Sequence, residues 1–256
     1  MTRVFSSLRT TAGRFAVNFA LLALLALVML VSMRFGSLKL TFAEIVGTLW
    51  NRPDGINGQI IFNIRLPRIL LGALVGGSLA AAGTILQGVM RNPLASPGII
   101  GVSAGGGLGG ILVMLVLPQF GYLLVPAAFG GALVTAVLVY LLAWKRGVNP
   151  VRLILAGVAV SAMLGAFSST ILILNAEKAG GVLDFTIGSL SARSWPQIEQ
   201  VAPYMAAGFA VALMLGQKLN ILTLGDEVAT GLGMRVERTR FLLLADERRA
   251  AEFADP

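Results

Sequence analysis

Residues 92–144 read NPLASPGIIGVSAGGGLGGILVMLVLPQFGYLLVPAAFGGALVTAVLVYLLAW, 53 consecutive positions without a charged side chain. A hydrocarbon core about 30 Å thick is crossed by roughly 20 helical residues, so this stretch can supply two spans. Pro118 and Gly121 divide it, because both residue types favour a turn over continuous helix. The rest of the 256-residue chain agrees: 56% is hydrophobic and only 12% is charged. A soluble single domain is excluded. The chain has no histidine and no cysteine. Imidazole bases, thiolate nucleophiles, disulfides and the usual zinc or haem ligands are therefore absent, and no catalytic or metal-binding residues and no cofactor are expected. The net charge of +8 comes from cations flanking apolar runs, which writes membrane topology and not nucleic-acid binding.

Outside that stretch, uncharged runs at 15–33, 69–90, 153–174 and 200–217 supply four more spans. The first is longer than a signal-peptide core and has no small-x-small site before Arg34, so it reads as uncleaved. The expected fold is an all-α, polytopic membrane helix bundle of about six spans with a seventh beginning at 241–244. Residues 1–244 form the membrane domain. Residues 245–256 form a polar tail with six charges, which cannot complete that seventh span and reads as truncated or aberrant. With the amino terminus in the cytoplasm, eleven Lys and Arg fall inside and seven outside, five of the seven between Arg34 and Arg68. The bias has the sign expected of this orientation.

Three clusters rise above the Leu, Ala and Val background. Arg65-Leu66-Pro67-Arg68 precedes the second span; proline suits a first helical position, and two arginines three apart can present forks to carboxylates or snorkel to lipid headgroups. Gly72, Gly76, Ala80 and Thr84 then make a thin helix face, and Asn92, Pro93, Ser96 and Pro97 bracket a tight cytoplasmic turn. The third cluster, 219–233, contains Leu224, Gly225, Asp226, Glu227, Val228, Ala229, Leu232 and Gly233. Thr223 and Asp226 are spaced as a capping box, Leu224, Val228 and Leu232 make one apolar stripe, and Gly231 or Gly233 can end the turn. A helix of about ten residues is too short to span; it lies on the inner membrane surface or fills a groove in another protein. Its acidic first turn disfavours the anionic leaflet.

On these residues the chain resembles the FecCD-type permeases, membrane subunits of ABC importers for iron-siderophore complexes, haem and vitamin B12. The matching pieces, in family order, are Arg65-Leu66-Pro67-Arg68, Gly76 through Gln87 to Asn92-Pro93-Leu94-Ala95-Ser96-Pro97, Leu155-Ala156-Gly157, and Leu224-Gly225-Asp226-Glu227 to Leu232-Gly233. Gly188-Ser189-Leu190 and Thr239-Arg240-Phe241 are most similar to the ferric-citrate branch. The resemblance implies a multi-pass bacterial inner-membrane subunit, not an enzyme, that moves an iron chelate by alternating access. Its implied partners are cytoplasmic ABC ATPase subunits, a periplasmic or lipoprotein substrate-binding protein, a second permease subunit and lipid. Arg65 and Arg68 would dock the binding protein, residues 224–233 would couple to the ATPase, and 155–170 with 184–191 would line the pathway. Family members have about ten spans, so a partial permease is expected. The rival readings are an accessory membrane protein and a secondary transporter; the latter needs ionisable residues inside spans, and these runs hold none.

Overall fold

The first apolar run folds as α1 (Thr11–Arg34), started by Thr10, whose hydroxyl accepts from the Gly13 N–H at 3.1 Å. Its side chains point almost entirely outward, and only Met33 is buried, as suits a helix solvated by lipid. The computed structural model describes residues 10–36, 38–51, 55–145, 149–236, 239–240 and 242–243. The expected tail at 245–256 and two of the four positions of the seventh-helix onset, Phe241 and Leu244, lie outside the described residues. The chain forms two units, Met1–Leu70 with Ala192–Trp195, and Leu71–Ser191 with Pro196–Pro256.

In the first unit the segment between Arg34 and Arg68 is mostly helical. It contains α2 (Phe42–Asn51) and α3 (Ile56–Ile60). A capping box starts α2: Thr41 N–H and Oγ1 both donate to Glu44 Oε2 at 2.7 Å, and Glu44 N–H donates to Thr41 Oγ1 at 3.3 Å. These bonds favour the charged form and hold the Glu44 carboxyl below its ordinary range. Ile45 and Leu49 of α2 pack on Met33, Leu40 and Ile61.

Pro67 does not begin a helix. The helical path runs unbroken from Ile56 to Met90, through a wide turn at Ile61–Arg65 and then α4 (Leu66–Met90). The wide turn answers the proline, which has no N–H and would crowd the carbonyl four residues back in an ordinary helix. Leu66 N–H reaches back five residues to Ile61, and Pro67 offers nothing to Phe62. The indole N–H of Trp195 donates to the Phe62 carbonyl instead, at 2.8 Å.

The remaining described α-helices belong to the second unit, the last but one from Pro196 on: α5 (Val102–Ile111), α6 (Leu124–Ala143), α7 (Pro150–Leu174), α8 (Gly180–Ile187), α9 (Trp195–Thr223) and α10 (Asp226–Gly231). Leu86 and Val89 of α4, Val139 of α6, Leu153 of α7 and Leu222 of α9 meet in its main core. Close approach depends on glycine where α5 crosses α6: a Cβ on Gly105 would sit 2.6 Å from the Gly131 carbonyl oxygen, and one on Gly109 2.4 Å from that of Ala127. The thin face expected on α4 does a different job. Gly76, Ala80 and Thr84 are exposed within this chain, and α4 meets α9 through Gly88, where a Cβ would lie 2.6 Å from Leu219 Cδ1.

Among the described residues, five helices are long and apolar enough to cross a membrane: Thr11–Arg34, Ile56–Met90, Pro118–Ala143, Pro150–Leu174 and Trp195–Thr223. The expected third span is the shorter Val102–Val116. It is short because the turn after Met90 and the short helix Pro97–Ile100 use the first part of the uncharged stretch. The all-α polytopic architecture is as expected.

Candidate functional site

The turn after α4 is built by its own sequence. Arg91 adopts φ +50°, Asn92 N–H bonds Gln87 O at 3.1 Å and Arg91 N–H bonds Gly88 O at 3.3 Å, the closure usually given to a glycine. Asn92 Oδ1 accepts from Leu94 N–H at 2.9 Å, and Ala95 N–H bonds Asn92 O at 3.1 Å. Pro93 and Pro97 sit where no N–H is needed, with Ser96 O accepting from Ile99 N–H at 3.1 Å. Gly101, at φ +80°, ends this turn against α7, because a Cβ there would meet Ser161 Oγ at 2.4 Å. The four expected turn residues therefore form one structured connection.

Beside it lies α10. Residues 219–223 finish α9, so the short helix is the six residues Asp226–Gly231 and not about ten. The expected capping box does not form. Thr223 Oγ1 donates to Asn220 O at 2.7 Å, and Gly225, at φ +113°, takes the cap position without a side-chain bond. Gly233, at φ +80°, closes the far end, with Gly233 N–H on Thr230 O at 2.9 Å and Met234 N–H on Ala229 O at 3.0 Å. Ala229 is fully buried, while Leu224, Val228 and Leu232 are 63%, 49% and 64% exposed. Only Val228 of the three lies within the six-residue helix; Leu224 precedes it and Leu232 follows it.

Asp226 is less free than its sequence suggests. Its Oδ1 accepts from Arg240 Nη2 at 2.9 Å and faces Arg91 Nη2 at 3.6 Å. Arg240 is 3% exposed in its side chain, against 42% for Arg91 and 45% for Asp226. Neither arginine stands out in the sequence as a partner of Asp226, since one lies 135 positions before it and the other is one of several cations after it. Between α4, the turn and α9 runs a groove of about 350 Å³ lined by Thr84, Gln87, Arg91, Asn92, Asn220 and Thr223.

At the other arginine pair the structure separates what the motif joined. Arg65 is buried and donates from Nη1 to Met33 O and from Nη2 to Leu38 O. Gly36 leaves room for it, as a Cβ there would lie 2.8 Å from Nη2. Arg68 is exposed. Arg65 is thus turned inward onto those carbonyls, while Arg68 faces outward.

The stretches expected to line a pathway fall on α7 and α8. Leu155, Val158, Met163 and Phe167 of α7 are exposed. A cavity of about 200 Å³ between α5, α6, α7 and α8 is lined by Ser103, Gly107, Ala128, Ser168, Phe185 and Thr186.

Known proteins share this architecture. The chain is 38% identical over 210 residues to the Fe(3+)-citrate import system permease protein YfmE of Bacillus subtilis, covering 78% of this chain and 63% of that protein. It is 43% identical over 188 residues to the cobalamin import system permease protein BtuC of Halobacterium salinarum, covering 73% and 51%. This chain thus spans less than two thirds of either relative's length. Its fold matches a solved metal-chelate type ABC transporter in an inward-facing conformation with a TM-score of 0.79 at 29% identity, over 93% of this chain and 75% of that one. These relatives and the apolar helices make it a multi-pass protein of the inner membrane. Residues 24–245, which include the structured turn, α10, Arg65 and Arg68, match the model of the FecCD transport family, and the chain belongs to that family.

Proposed function

We propose that the chain is the membrane-spanning permease subunit of a binding-protein-dependent ABC importer for an iron(III)-siderophore-type chelate, working by alternating access. A cytoplasmic ATPase supplies the energy, a substrate-binding protein delivers the cargo, and a second permease subunit completes the pathway. The chain serves as a conduit and not as an enzyme.

The observation that carries this reading is α10. A six-residue helix with Val228 exposed on it and exposed Leu224 and Leu232 on either side is too short to cross a bilayer, and this apolar surface costs free energy in water. A groove on another protein relieves that cost, and the acidic residues Asp226 and Glu227 suit a protein partner better than an anionic leaflet. The relatives' roles in iron-citrate and cobalamin import fit an ATPase as that partner. In the first unit, exposed Arg68 is the member of its pair left to meet carboxylates of a binding protein. Arg65 serves that docking only by holding the local fold.

The test is co-purification of the chain with its ATPase. Val228→Asp places a charge in the apolar stripe and should abolish capture of the ATPase, whereas Leu94→Asp, an exposed position outside the stripe, should leave capture intact. Undiminished capture by Val228→Asp would return α10 to a lipid-resting helix.

A further inference from the structure

We propose that the Asp226 carboxylate is a mechanical node, tying α10 at once to the carboxyl end of α4 through Arg91 and to the helical pair Thr239-Arg240 through the Arg240 guanidinium. Asp226 and Arg240 are then positioning residues that fix the direction of the apolar stripe. The inference rests on the reading of α10 as the element gripped by an ATPase, and it assigns Asp226 a different task from touching that ATPase.

A helix of six residues cannot hold itself. Its cap residue Gly225 provides no side-chain bond, so its position must come from contacts with the rest of the fold. Buried Ala229 supplies one, and the Asp226 carboxylate, which meets the side chains of both Arg91 and Arg240, supplies another. Arg240 is the stiffer arm. A guanidinium only 3% exposed is costly to bury without a partner, so it holds the carboxylate at 2.9 Å.

Arg91 is the more exposed arm. At 3.6 Å and 42% exposure its ion pair is worth little by itself. Its backbone, however, adopts φ +50°, a conformation that costs a side-chain-bearing residue about 1 kcal/mol or more. The guanidinium lies over Gly225, where a Cβ would lie 3.5 Å from Nη1. A displacement of α10 therefore pulls on two other elements through a single carboxylate.

The experiment uses the permease alone and the permease with its ATPase. The chain has no native cysteine, so a nitroxide on Leu232→Cys reports α10 without background. Asp226→Asn keeps the shape of a half-exposed side chain and removes its charge. In the isolated permease the node requires that Asp226→Asn raise nitroxide mobility, read well below the variant's own unfolding midpoint. With the ATPase present, Asp226→Asn should weaken binding about tenfold, in line with loss of one charge-assisted hydrogen bond. Arg240→Lys should also weaken it, and the double variant should bind no worse than the weaker single one. Weakened binding with unchanged mobility would mean that Asp226 touches the ATPase directly, and would overturn the node. Independent, additive losses from Asp226→Asn and Arg240→Lys would overturn it too. Full ATPase capture by Val228→Asp overturns the coupling reading instead, and mobility in the isolated permease still decides the node.

Discussion

Gly109→Ala is expected to destabilise the protein by about 2 kcal/mol, while Gly107→Ala, two residues away, is expected to stabilise it by up to about 1 kcal/mol. The two substitutions add the same methyl group to the same helix, and both gain the same helical propensity. They differ in what the methyl meets. At Gly107 nothing lies within 4 Å of the added atom. At Gly109 it would lie 2.4 Å from the Ala127 carbonyl oxygen and 2.9 Å from the Ala127 carbonyl carbon. Those are backbone atoms of α6, so no rotamer change relieves the clash, and the helices must separate. Separation is resisted nearby, because Gly131 of α6 is pressed as closely on the Gly105 carbonyl oxygen, 2.3 Å from an ideal Cβ. Overpacking of this kind costs about 1–3 kcal/mol or more, which outweighs the propensity gain. Unfolding midpoints of the two variants in detergent, read by helical circular dichroism, check the difference.

Arg65→Ala is expected to cost about 3 kcal/mol, and Arg68→Ala almost nothing. Arg65 supplies donors to the Met33 and Leu38 carbonyls, and each buried carbonyl left unmatched costs about 1–3 kcal/mol. Leu38 is exposed, so water recovers some of its share. Arg65→Lys should recover only part of the loss, since an ammonium is a point donor and cannot span both carbonyls as a fork does. Binding of the substrate-binding protein should separate the pair in the opposite way. Arg68→Glu should weaken docking with the unfolding midpoint unchanged, whereas Arg65→Lys should lower the midpoint first. Equal stability of the Arg65 and Arg68 variants would contradict the buried strut.

The helices are legible in the amino-acid sequence because their signal is one-dimensional: an uncharged run of sufficient length has few alternatives to a span. Their ends are harder. Residues 92–144 carry no charge to mark boundaries, so nothing in their composition distinguishes the short helix Val102–Val116 from its longer neighbour. Pro67 is legible as a helix-start residue, but the widened turn that lets the helix continue through it depends on Phe62 finding Trp195, 133 positions away. Thr41 and Glu44 have the spacing of a capping box, yet the surrounding cations make the segment resemble a loop. The glycines are ambiguous for a related reason. Spacing shows that a helix face is thin, as with Gly76 and Ala80, and not which helix lies against it; Gly105, Gly109 and Gly131 carry the close contact.

For the candidate site, a short helix around Val228 and its closing Gly233 follow from local pattern. The pairing of Asp226 with Arg91 and Arg240 does not, since only the folded chain brings residues 91, 226 and 240 together. The same holds for Arg65. A guanidinium turned inward and one turned outward look identical in sequence, and Gly36, which makes room for the inward one, gives no sign of its purpose.

Every role proposed for α10 requires that it face the cytoplasm, and sidedness measures that directly. With no native cysteine, Val228→Cys is the sole thiol and stands exposed. A membrane-impermeant maleimide should label it in inside-out vesicles and leave it unlabelled in intact cells. Labelling in intact cells, with inside-out vesicles unreactive, would place the helix outside and contradict both the orientation and the importer reading.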